Sequence, residues 1–185
     1  MIVRPDRRTE DLRSWVADLV RSGLATPEDV RRQAVEAITA DLDVPDPEAL
    51  ASRWLEAAHQ AWGEDAATWP ETTDHDRLEQ AFTTLEDAGI AVLRGCTDHW
   101  VARDLLTGPE APTRGVAWFT APDVWHAIDE GMLEVNLWHA STANVAPGDQ
   151  LLSDAVAAFA AAGLEAHFDE GRIEVAAYWR RRPTG

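Results

Sequence analysis

The sequence predicts an α+β fold in which a helical segment comes first and a longer region of alternating helices and strands follows. Three observations carry this. The first 63 residues hold three apolar stripes at helical spacing. From residue 74 onward the apolar pattern alternates between a helical period and a period of two. Near the end, Asp169-Glu170-Gly171 forms a tight turn between two short apolar runs.

The elements follow in chain order. Leu12, Trp15, Val16, Leu19 and Val20 recur at i, i+3, i+4, i+7 and i+8, which makes one face of a helix over 9–23 apolar. Gly23 suits the position just past its end. Thr26-Pro27-Glu28-Asp29 is a helix start: a capping hydroxyl, a proline in the first turn, and acids at the positive end of the dipole. The buried side of this second helix is Val30, Ala34, Ala37 and Ile38. Asp46-Pro47-Glu48 repeats the start signal. The third helix turns Leu50, Trp54, Leu55, Ala58 and Trp62 inward and is expected to stop at Gly63. Residues 64–73 lack periodicity and read as a linker, with Trp69 expected to anchor it to one half of the chain.

Beyond the linker, Leu78, Ala81, Phe82 and Leu85 mark a helix that stops at Gly89, and 90–94 reads as a strand. Thr97 is expected to cap a short helix that buries Trp100, Val101 and Leu105. Residues 116–119 form a strand, and Thr120 with Pro122 opens another short helix, ended by Gly131. The strongest strand is 132–139. Leu133, Val135 and Leu137 lie on one face, and Glu134, Asn136 and Trp138 on the other. Pro147-Gly148 breaks the chain before a helix carrying Leu152, Ala155, Val156 and Phe159, which Gly163 ends. Runs 164–168 and 172–180 are the arms of a closing hairpin.

Two stretches echo each other. Leu78, Phe82, Leu85, Ala88, Gly89 and Ile90 match Leu152, Val156, Phe159, Ala162, Gly163 and Leu164, each a helix, a glycine stop and a strand. Two such units separated by strands predict a sandwich of ferredoxin-like kind, with an internal two-fold as one reading and coincidental helix–glycine–strand turns as the other. The expected layout is a helical segment over 1–63, a linker over 64–73 and a ferredoxin-like α+β domain over 74–185. The helical segment packs on a sandwich whose sheet is mainly antiparallel, with one sheet face partly open.

The unit Asp76-Arg-Leu-Glu-Gln-Ala-Phe82-Thr-Thr-Leu-Glu-Asp-Ala-Gly89-Ile90, with the closing Tyr178-Trp-Arg-Arg-Arg182, resembles a family of uncharacterised bacterial proteins, a domain of unknown function, over most of the chain. More distantly, the helix–glycine–strand units and the closing hairpin resemble the regulator of ribonuclease E activity type B. That resemblance implies a small, acidic, ferredoxin-like protein that acts by binding an enzyme.

The formal charge is −17, and all sixteen basic residues are arginines. Affinity for nucleic acid rests on basic side chains that neutralise phosphates, so nucleic acid and anionic membranes are not expected partners. A protein with a basic surface is. The N-terminal Met1-Ile-Val-Arg-Pro-Asp-Arg-Arg lacks the apolar core of a leader, and no apolar run approaches the ~20 residues that span a bilayer. Cys96 is the single cysteine, which forbids an internal disulfide and fits a reducing compartment. A cytoplasmic protein is expected.

Candidate chemistry is sparse. Cys96, Asp98 and His99 are the densest cluster of potential ligands, but a zinc site wants about four in a tetrahedron. Helix capping is the competing reading, with Thr97 as the N-cap and Asp98 in the first turn, and a helix start beside Cys96 can lower its pKa. Asp74-His75-Asp76 reads as a charged first turn capped by Thr73. His126, His139 and His167 are scattered. No serine sits in a nucleophile elbow, and no phosphate loop is present. Arg180-Arg181-Arg182 is a short basic run in an acidic chain and is not expected to hold phosphate. No catalytic residue, metal or cofactor is expected. The candidate binding residues are Glu134, Asn136 and Trp138, a mixed aromatic and polar patch on one strand face. The function expected is a non-enzymatic protein-binding or regulatory module. The alternatives are a small-ligand binder or enzyme using Glu134, Asn136, His126 or His139, and an acidic mimic of nucleic acid.

Overall fold

The computed structural model describes residues 7–183. Residues 1–6, most of the stretch read above for a leader, lie outside the described residues. The chain forms two compact units, Met1–Trp69 with Arg181–Gly185, and Pro70–Arg180.

The first unit holds α1 (Arg7–Ser22), α2 (Pro27–Asp41) and α3 (Pro47–Ala66). The start signals act as read. The Thr26 and Asp46 side chains accept hydrogen bonds from the backbone N–H groups of Asp29 and Ala49. Leu12 and Val16 of α1, Ala34 and Ile38 of α2, and Ala51 and Trp54 of α3 form the core of the unit. One boundary differs from expectation: α3 runs past Gly63 to Ala66. Gly63 does not adopt positive φ and has open space where a Cβ would sit. A single exposed glycine costs a helix about 1 kcal/mol, too little to end one held by Trp54, Ala58 and Trp62.

The second unit comprises α4 (Asp74–Asp87), β1 (Ile90–Cys96), α5 (His99–Thr107), β2 (Gly115–Thr120), α6 (Ala121–Asp129), β3 (Met132–His139), α7 (Gln150–Ala161), β4 (Glu165–Asp169) and β5 (Arg172–Ala176). The sheet order is β1-β2-β3-β5-β4. β1 and β2 are parallel, as their connection through α5 allows, and the other three pairings are antiparallel. The class is α+β and the sheet is mainly antiparallel. The strand order refines the ferredoxin-like expectation: that motif splits its βαβ units with an intervening strand, whereas β1 and β2 are direct neighbours.

The internal echo is half realised. The two glycine-stopped units place β1 and β4 at opposite edges, running in opposite directions as a two-fold demands. Their inner neighbours β2 and β5 run in the same direction, which a two-fold forbids.

Alternation sorts the side chains. Leu133, Val135, Leu137, Ile173 and Val175 are fully buried on the face covered by α4 and α7. There Phe82 stacks on Phe119 at 5.5 Å and meets Phe159 edge-on at 6.0 Å. Gly115 is obligatory, because a Cβ there would lie 2.1 Å from the carbonyl oxygen of Trp138 on the paired strand. The chain leaves the sheet after Ala176, earlier than the expected 180, yet stays extended. Ala177 and Trp179 keep the buried alternation and donate backbone N–H groups to Gly131 and Ala127.

Candidate functional site

The second face of the sheet carries the residues singled out from the sequence. The register sets Trp138 beside Val116, Asn136 between Trp118 and Arg172, and Glu134 beside Glu174. Period-two alternation therefore brings Glu134, Asn136 and Trp138 onto one face with Trp118, Arg172, Glu174 and, from β4, His167.

α5 covers only part of this face. Ala102 and Leu106 seal Val116 and Trp118, with Ala91, Leu93, Cys96 and Trp138 partly buried around them. Trp138 lies edge-on to Trp118 at 5.3 Å and near His99 at 6.4 Å. Trp118 is only 8% exposed, and its indole N–H has no hydrogen-bond partner among the described residues. Toward β5 and β4 the face becomes polar. Glu134 pairs with Arg172, which raises the Arg172 pKa, and His167 lies 3.3 Å from Glu174. The three sequence-predicted residues thus share a face but differ in environment. Trp138 belongs to an aromatic cluster, Asn136 is central, and Glu134 is neutralised by an arginine from the next strand.

The structure corrects the reading of α5. The cap is Asp98, not Thr97: the Asp98 carboxylate accepts the Trp100 N–H at 2.8 Å. The buried positions are Ala102 and Leu106, while Trp100 is 53% exposed and Val101 is also exposed. The Trp100 ring lies 4.6 Å from His99, with the Arg103 guanidinium 5.2 Å above it. Trp100 is the aromatic residue whose exposure sequence reasoning missed. Its apolar size argued for burial, and the rotation of α5 overrides that.

The other candidates disperse. The Cys96 thiol donates toward the Phe119 carbonyl oxygen at 3.5 Å, and burial pushes its pKa up, with Asp123 and Asp98 adding to the rise. The expected lowering at a helix start does not occur. His126 pairs with Glu130 at 3.0 Å, and His139 with Asp149 at 2.9 Å. The Asp149 carboxyl is held below its usual range by His139 and by the Ala146 N–H. Thr73 caps α4 reciprocally with Asp76, as read. Among the described residues no group of three or more His, Cys, Asp or Glu side chains could hold a metal ion, and no helix is long and apolar enough to cross a membrane.

A family model described as a domain of unknown function, DUF6891, matches residues 5–183. The chain belongs to that family. Its match spans both units, so the DUF6891 domain includes the three leading helices as well as the sheet. No curated protein and no solved structure matches the chain.

Proposed function

We propose that this DUF6891 protein is a binding module that engages the basic surface of another protein through the α5 side of its sheet. One observation carries the reading: Trp100 is the exposed member of the nine tryptophans, and it stands with Arg103, His99 and half-buried Trp138 at the edge of a polar sheet face. Tryptophan and arginine are the side chains that most often dominate interface energetics, and a mixed aromatic and polar patch fits an interface better than an isolated apolar one. The formal charge of −17 favours a basic partner and supplies long-range attraction that salt screens.

The test compares proteins captured from native lysate by wild type, Trp100→Ala and Tyr178→Ala. Tyr178 is the exposure-matched control, at 41%. A partner held by wild type and by Tyr178→Ala, lost with Trp100→Ala and weakened by salt, is the expected result. If Trp100→Ala retains every partner of the wild type, the reading is wrong.

A further inference from the structure

Arg181 differs from the arginines that carboxylates hold. Arg94 is met by Glu79 and Glu86, Arg21 by Asp65, Arg114 by Asp154 and Arg172 by Glu134. Arg181 belongs to the helical unit and has no carboxylate partner among the described residues. Burial alone pulls its pKa down, and its Nε is buried with no hydrogen-bond partner among the described residues. Leaving a charged donor desolvated and unpaired is costly, so such a group calls for a compensating anion.

The guanidinium is held in place. It lies 4.7 Å from the centre of the Trp62 ring, and Trp62 Nε1 donates to the Arg181 carbonyl oxygen at 2.8 Å. On another side it meets the backbone of Gly23. A Cβ there would come within 2.1 Å of the guanidinium carbon, and Gly23 has φ of 63°. Gly23 thus serves both as the helix stop and as the seat of the arginine.

Arg181 lines a cleft of about 350 Å³ within the same unit, near the small end of the roughly 300–1,000 Å³ range of ligand pockets. Leu19, Val20, Val30 and Leu55 supply apolar wall, and among the described residues no acidic side chain lines the cleft. His59 stands at its side, with Nδ1 2.7 Å from the Leu55 carbonyl oxygen. One fixed fork of donors suits a planar carboxylate held by paired hydrogen bonds. A single permanent cation is too few for a phosphate dianion, and the apolar wall asks for a hydrocarbon body.

We propose that this cleft binds a small apolar monocarboxylate, with Arg181 as the carboxylate anchor. The site is independent of the reading of the sheet face. The experiment titrates the full chain calorimetrically with hexanoate and benzoate, and with 1-hexanol and inorganic phosphate for comparison. At least one carboxylate is expected to bind saturably at one site per chain, with 1-hexanol and phosphate weaker by about tenfold or more. Arg181→Gln keeps a stem over Trp62 and should weaken the carboxylate by about tenfold or more, with an unchanged circular dichroism spectrum. Leu55→Glu is the second variant. It supplies an internal carboxylate to the cleft and should abolish binding even if Arg181→Gln folds poorly. The proposal is overturned if neither carboxylate binds, if 1-hexanol or phosphate binds as tightly, or if the folded variants keep wild-type affinity.

Discussion

On one face of the sheet, Leu133, Val135, Leu137, Ile173 and Val175 are fully buried beneath the phenylalanines of α4 and α7. On the other, their chain neighbours Glu134, Asn136, Arg172 and Glu174 stay half-buried. The strands are the same; what differs is the cover. The two longer helices α4 and α7 lie over the first face, while α5, nine residues long, seals the β1–β2 side of the second. Apolar packing is therefore concentrated on one face, and the other keeps its polar side chains partly in water.

Substitutions of graded cost test that division. The largest effect is expected for Phe82→Ala, which removes a fully buried ring from contact with Phe119 and Phe159. Urea denaturation should show a loss of about 3–5 kcal/mol. Trp138→Ala should lose less than about half of that, because the ring is already partly in water. Equal losses for these two would erase the distinction between the faces. Glu134→Ala breaks a partly exposed pair with Arg172 and should cost about 1 kcal/mol or less. Trp100→Ala should change stability by no more than about 0.5 kcal/mol while abolishing partner capture. A large stability loss there would mean that Trp100 is structural.

A subtler test concerns pH. The Asp149 carboxyl titrates below its usual range because His139 and the Ala146 N–H favour its charged form. A depressed carboxylate contributes stability that is fully present above its unfolded pKa, near about 4, and is lost as pH falls through the lower folded value. The melting temperature of wild type should therefore exceed that of Asp149→Asn at neutral pH, and the gap should shrink below about pH 4. A gap that does not change with pH would show that the His139–Asp149 contact does not act through charge.

Cys96 offers a chemical probe of the covered side. Its raised pKa and partial burial predict slower alkylation by iodoacetamide at pH 8 than a free cysteine shows. Alkylation at the free rate would show that α5 leaves this side open.

Signals that act within a few residues were legible in the sequence. Thr26, Asp46, Thr73 and Thr120 open helices because a side-chain oxygen reaches a backbone N–H or a neighbouring acid three residues on. The two faces of β3 follow from its period of two, which put Glu134, Asn136 and Trp138 together. The tertiary structure alone decided the rest. Strand order depends on pairings that no local pattern records. The exposure of Trp100 depends on how α5 rotates once Ala102 and Leu106 meet the sheet. Arg181 looks like one of three equivalent arginines in a basic run, and its environment is set by Trp62, 119 residues earlier, and by Gly23. Local hydrogen bonding and periodicity are properties of neighbouring residues, whereas burial and charge pairing belong to whichever distant residues the fold brings together.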